Sequence, residues 1–317
     1  MKKYFTLAFI FVLGTSISIA QTNSGLQFLN IGPNAHSLSL SEAHTAVALG
    51  SASLFTNPAN LMLNTQSNIG ISYTLWIQET QNTQASALFL REKDAFSVGF
   101  LSSLIDGIEG RNTPGPSGSD LSVTYLALTG GYARQFGPLS VGVSGSYLYE
   151  QIVQQNASGF GFSAGATATL FSDRLRLGTA LTNAGRMGEL INERSELPTL
   201  WRIGFDADAI QLSAFSGQEI PVLVRFSADF VMPVDENLGE NSENLLESGN
   251  YFAFGLDANL YDMITIRGGY RTGNTSRSWS LGAGIDVQPI KFQYAFIPFE
   301  TGFGSVHSIS LQYFFDF

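Results

Sequence analysis

The sequence predicts an all-β protein: a transmembrane antiparallel β-barrel of about 14 strands with an N-terminal hatch. Three observations carry that expectation. The last nine residues, 309–317, place Ile309, Leu311, Tyr313, Phe315 and Phe317 on one face at a period of two, opposite Ser310, Gln312 and Asp316. Charged residues make up only 13% of the chain, too few to clothe a large soluble domain, while Phe 25 and Gly 33 are plentiful. Finally, short and long connections between alternating segments follow one another in sequence, as the turns and loops at the two ends of an outer-membrane barrel do.

The chain opens on a targeting signal over residues 1–20. Lys2 and Lys3 form its positive end, 4–13 its apolar run, and Ser18-Ile19-Ala20 a small-residue cleavage site. No later stretch approaches the length of a membrane-spanning apolar helix, so any crossing uses strands. Residues 21–66 alternate poorly and are expected to form the hatch. Short helical turns are predicted over 41–49 and 58–63, the second with Asn57 as cap and Pro58 in the first turn.

Residues 67–317 are expected to form the wall. Ile69, Ile71, Tyr73, Leu75 and Ile77 share one face of the first strand. Strands follow over 84–90, 95–102, 121–134 (whose two faces are ambiguous), 139–151, 160–171, 174–183, 200–209, 221–233, 251–260, 263–271, 278–287, 290–297 and 306–317. Each has roughly the ten-residue length of a tilted membrane strand. The connections 105–120, 184–198 and 235–247 read as long extracellular loops, and 210–220 as an elaborated turn on the other side. A soluble, lipocalin-like barrel would turn its apolar face inward instead. The other face of the first six strands carries Ser, Thr, Gly and Asn, which suits a lumen better than a water-facing exterior.

The formal net charge of −10 argues against nucleic acid, whose phosphates need cationic partners. The chain has no cysteine, so neither a disulfide framework nor thiolate chemistry is available. His36, His44 and His307 have no metal-ligand spacing and are taken as incidental polar positions. Glycine runs lie inside strands rather than at a strand-to-helix turn, which excludes a phosphate loop. The acidic stretch 235–247 misses the calcium-loop pattern and is read as a solvated loop. No Ser/His/Asp constellation is present, so no enzymatic activity, metal or cofactor is expected. The distinctive polar feature is the inward face of the second half, with Arg176, Arg202, Asp206, Asp208, Arg225, Asp229, Asp257, Arg267, Arg271, Asp286 and Lys291. Such residues pair across strands, clamp the hatch, or simply line a wet interior.

Phe28-Leu29-Asn30-Ile31-Gly32, the alanine-rich stretch 43–48 and Asn57-Pro58-Ala59-Asn60-Leu61 resemble the opening of the PorV/PorQ family. Asn57, Pro58, Ala59 and Leu61 are the positions that match its hatch motif. Leu181-Thr182-Asn183-Ala184-Gly185, Ile266-Arg267-Gly268-Gly269-Tyr270 and Leu281-Gly282-Ala283-Gly284-Ile285 resemble its later strand motifs. The resemblance implies a FadL-like barrel in the bacterial outer membrane, associated with type IX secretion and docking or shuttling the C-terminal domains of secreted cargo. The other functional reading is a FadL-like channel for hydrophobic small molecules, with ligand held between hatch and wall near Leu54, Phe55 and Leu61. Expected partners are outer-membrane lipid, the barrel-assembly machinery reading Tyr313, Phe315 and Phe317, secretion components or cargo domains, and a hydrophobic ligand.

Overall fold

The computed structural model describes residues 26–110, 119–190, 193–212, 221–234, 249–273, 277–299, 302 and 304–317. The signal segment, the acidic stretch 235–247 and most of the 210–220 connection lie outside the described residues. The strands are β1 (Ser67–Leu75), β2 (Gln81–Leu90), β3 (Asp94–Gly110), β4 (Ser119–Phe136), β5 (Leu139–Ile152), β6 (Gln155–Leu170), β7 (Leu175–Leu190), β8 (Glu193–Glu196), β9 (Leu200–Leu212), β10 (Val222–Pro233), β11 (Tyr251–Leu260), β12 (Ile264–Arg271), β13 (Trp279–Val287), β14 (Ile290–Pro298) and β15 (Ser305–Phe315).

All neighbours pair antiparallel, and β1–β15 and β6–β7 pairings close the sheet on itself. Because β8 is a four-residue piece continuing the ladder on β7, the wall proper has fourteen strands. Closure is what lets strands cross a bilayer, since every ladder amide then finds a partner and no edge is left.

The greasy faces point outward. Ile69, Ile71, Tyr73, Ile309, Leu311 and Tyr313 are exposed, while Ser72, Thr74, Ser308 and Ser310 face the lumen and are buried. Tyr73, Tyr270 and Trp279 ring one end of the apolar band, and Phe136, Phe171, Tyr261 and Phe317 the other. These are the two aromatic girdles of a membrane barrel. The ambiguous strand β4 turns Ala127, Thr129 and Ala133 inward and exposes Leu128. Glycines on both of its faces, Gly130 outward and Gly131 inward, blur the alternation.

Five of the six connections at the end carrying the C-terminus are short, at 91–93, 137–138, 171–174, 261–263 and 288–289; the sixth joins β9 to β10 through 213–221. That end is the periplasmic one by the usual barrel rule. At the opposite end two expected loops contain strand. β3 and β4 extend to Gly110 and Ser119, so 105–110 and 119–120 belong to these strands, while 111–118 lies outside the described residues. Residues 184–198 likewise continue β7 to Leu190 and return as β8, tied by Arg194 to Glu189 at 2.9 Å. Glycines there read as loop punctuation, but ladder hydrogen bonds are made by backbone and tolerate them.

Residues 26–66 run inside the barrel from the long-connection end to the start of β1. Helix α1 (Ala35–Ser39) is capped by the Asn34 side chain, which accepts from the Ser37 amide at 2.9 Å. Two 3-10 turns follow, Gly50–Phe55 and Pro58–Leu63, and Asn57 caps the second through the Ala59 amide. The helical turn expected over 41–49 is absent. Ser41 and Glu42 adopt positive φ (50° and 67°), and the amides of His44 and Thr45 are satisfied by the wall instead of by a helix.

Candidate functional site

The luminal segment meets two chemically different walls. On the β2–β6 side the contact is apolar. Leu54 and Leu61 are fully buried against Leu88, Ala95 and Ala133, and Phe55 packs beside them. Each such leucine contributes roughly 1.5–3 kcal/mol of burial. The ligand pocket expected near Leu54, Phe55 and Leu61 is therefore filled by these side chains themselves. Pro58 and Ala59 press their backbone against Gly142, where a side chain would collide. Asn57 and Asn60 add the polar part: Asn57 Nδ2 donates to Thr45 O (2.8 Å) and Thr167 Oγ1 (3.1 Å), and Thr167 Oγ1 donates to Asn60 Oδ1 (2.6 Å). The hatch-motif residues Asn57, Pro58, Ala59 and Leu61 thus all sit on this side of the lumen, Asn57 through its hydrogen bonds.

On the β9–β14 side the contact is mainly ionic, with Ala43 packed beside Leu200, Val231, Tyr251 and Ala253. Asp229 Oδ2 accepts from the amides of His44 and Thr45 (2.9 Å each) and from Thr45 Oγ1 (2.6 Å). Arg202 donates to His44 Nε2 (2.8 Å) and to Glu42 O (2.8 Å). Guanidinium can only donate, so His44 Nε2 is unprotonated and Nδ1–H faces Ser37 Oγ at 2.6 Å. Glu42 receives Arg271 (3.0 Å) and Arg277 (3.2 Å). His36 lies 3.6 Å from Asp257, which holds Arg267 at 2.6 Å.

Burial by itself would raise the Glu42 carboxyl, but Arg277, Arg271 and Arg202 hold it down to about 2. Burial, aided by Arg267, lowers His36 to about 4 against the pull of Asp257. Burial and Arg202 likewise lower His44 well below 6.5. Both imidazoles are neutral at neutral pH.

The remaining inward charges pair wall to wall. Arg225 reaches Asp206 (3.0 Å) and Asp208 (2.8 Å), Arg176 lies 3.5 Å from Asp206, and Lys291 lies 3.5 Å from Asp286. Among the eleven inward charges singled out in the sequence, Arg202, Asp229, Asp257 and Arg271 touch the luminal segment. The others named here form the cross-strand ladder, with Arg267 behind Asp257. Tyr313 is exposed on the lipid face, and Phe315 and Phe317 pack edge-on against Phe89 at the periplasmic rim.

Sequence reasoning passed over Glu42, His44, Trp76, Tyr251 and Arg277. Glu42, Trp76 and Arg277 lie outside the alternating runs, Tyr251 opens one as an apparent strand residue, and His44 was judged only as a metal ligand.

Above the luminal segment, at the long-connection end, lies a vestibule of about 690 Å³. Leu26, Phe28 and Ile31 form its floor, and Trp76, Tyr125, Tyr251 and Phe299 its sides. Phe28 stacks on Tyr125 with ring centroids 5.5 Å apart. Arg271 lies 3.5 Å over the Tyr251 ring and Arg277 5.2 Å over Trp76, so the arginines on Glu42 also brace the vestibule aromatics.

No protein-family model and no curated protein sequence matches the chain. Solved structures do match in fold. The CymD monoaromatic hydrocarbon channel is 14% identical, with 93% of this chain and 100% of that chain covered and a TM-score of 0.63. The Ralstonia pickettii toluene transporter TbuX is 14% identical over 90% and 98%, TM-score 0.57. The P. putida toluene transporter TodX is 12% identical over 88% and 98%, TM-score 0.53. The chain is an outer-membrane β-barrel with the FadL-like fold. At these identities the match speaks for the fold, and no comparison singles out the PorV/PorQ family.

Proposed function

We propose that this outer-membrane barrel admits hydrophobic small molecules, taking them first into the vestibule above the luminal segment. The observation that carries the reading is the aromatic lining of a cavity of about 690 Å³. That volume is in the range of pockets that hold small organic ligands. Its mixture of flat rings and aliphatic side chains suits an apolar or aromatic solute, the class handled by the hydrocarbon channels whose fold it shares. The luminal segment then acts as the plug over which such a solute waits.

Titration of toluene into the purified protein in nanodiscs tests this, with tryptophan emission as the readout. Saturable quenching that disappears in Trp76→Phe and weakens in Tyr251→Ala is expected. Quenching that is non-saturable, or equal in both variants, would remove the vestibule as a ligand site. A second reading, docking of type IX secretion cargo, draws on the packed lumen around Leu54 and Leu61 and on the tall β3–β4 and β7–β8 hairpins. Co-purification of secretion components with the native protein, in the absence of ligand binding, would favour it.

A further inference from the structure

On the β7–β13 side the luminal segment seals the barrel with a single pass of backbone. Four inward glycines accept it. A side chain at Gly178 would strike Thr45 O, one at Gly269 the Leu40–Ser41 peptide, one at Gly282 Ser39, and one at Gly255 the Leu40 side chain. Along β12 the inward positions are Thr265, Arg267, Gly269 and Arg271, in that order. Successive inward positions are about 7 Å apart along a strand. Arg271 already faces the vestibule, with its side chain 14% exposed, whereas Arg267 is 2% exposed.

Periplasmic to the seal, the lumen is wet. Arg225, Asp257, Asp286 and Lys291 all point inward, yet their side chains are 17–21% exposed. Water reaching these groups from the short-turn end would form a charged shaft ending at Asp257, one inward position below Gly255, with Thr265, Arg267 and Gln293 buried beside it. It stands beside the apolar plug on β2–β6, not beneath it.

We propose a second activity for this barrel: a conduit for small hydrophilic solutes along β9–β14, closed by residues 39–45 and latched by Glu42. The latch is mainly polar: Arg271, Arg277 and Arg202 bind Glu42 and its carbonyl, Asp229 the 44–45 amides, and Ser280 Ser41. Water can replace each of these polar contacts, so the apolar surface exposed on opening is that of Leu40, Ala43 and the residues they cover. The apolar half, Leu54 to Met62, stays seated. The shaft carries Arg176, Arg225 and Lys291 against Asp206, Asp208 and Asp286, so the conduit passes both ion signs. The inference does not depend on which apolar ligand the vestibule takes.

The test is ion current through the purified full-length protein in planar bilayers, with potassium chloride as the probe. Wild type opens rarely. Glu42→Ala raises open probability at least about tenfold, the equivalent of one charge-assisted hydrogen bond, with potassium and chloride permeabilities of similar size. Ser41 Oγ and Ser280 Oγ are 2.8 Å apart and the chain has no cysteine, so a Ser41→Cys/Ser280→Cys pair can pin the gate. Added to Glu42→Ala, the oxidised pair abolishes the current and reduction restores it. Should Glu42→Ala lose heat-modifiable gel mobility, Arg277→Gln replaces it. A natively folded latch variant with no added current, or a current indifferent to the cross-link, overturns the conduit. Either result leaves toluene quenching in the wild-type protein as it was, which separates this proposal from the hydrophobic uptake reading.

Discussion

The two sides of the lumen hold the same forty-residue segment by different physics. Against β2–β6, Leu54, Leu61 and Met62 adhere by burying area, and that contact is insensitive to direction, salt and acid. Against β9–β14, the segment from His36 to Thr45 adds to the packing of Leu38 and Ala43 a set of buried charges, each costly to desolvate and stable only while its partner is in place. The apolar side is a bearing that stays put. The polar side is a latch whose strength depends on the ionisation of a few groups.

The sharpest way to break that contrast is Asp229→Ala. It strands two amides, the Thr45 hydroxyl and Arg202 in a dry site, and should weaken seating of residues 39–45 by about 3–5 kcal/mol. Hydrogen exchange should show those amides deprotected while 50–63 stay protected; uniform deprotection would mean the two halves move as one. Leu54→Ala probes the other side. A loss of about 3 kcal/mol is expected from the vacated volume. Its thermal destabilisation should not vary between pH 4 and pH 8.

Acid should act on the latch and leave the Leu54–Met62 contact unchanged. The His36 pKa is depressed to about 4 from 6.5, so its contribution is complete above pH 6.5 and is lost as pH falls towards 4. Glu42, held at about 2 instead of 4.5, adds a further loss between pH 4.5 and 2. Exchange of the amides of 35–45 should therefore rise progressively below pH 6.5, by an amount on the order of 2 kcal/mol at pH 4. His36→Ala should flatten the upper part of that profile. The smallest effect is expected outside the lumen. Arg194 and Glu189 pair at 2.9 Å with side chains 59% and 57% exposed, and Arg194→Ala should change stability by less than about 1 kcal/mol. A larger loss would show that the β7–β8 hairpin is coupled to the segment packed behind it.

The wall was legible because a membrane barrel writes its orientation into every second residue. The run Ile69, Ile71, Tyr73 and the run Ile309, Leu311, Tyr313 each announce a lipid face without reference to anything distant. The inward charges were legible for the same reason, Arg225 and Asp229 falling opposite Phe226 and Phe230. The luminal segment was harder to read. Its conformation over 41–49 is set by Asp229, Arg202 and Ser280, each more than 150 positions away, and local propensity pointed to a helical turn that those partners replace. The strands past the membrane, β3–β4 and β7–β8, were read as loops because glycine punctuates them while their ladder bonds, being backbone bonds, leave no mark in residue type.

Alternation and composition alone determined that this chain closes into an antiparallel barrel with its apolar side turned to lipid, because strand periodicity is a local property and the bilayer demands it of every strand. Only the tertiary structure decided which inward charge meets Glu42 or His44, that Leu54 and Leu61 fill their own site, and that the open cavity lies above them. Those outcomes depend on residues brought together by closure of the barrel, and closure joins positions that no local pattern connects.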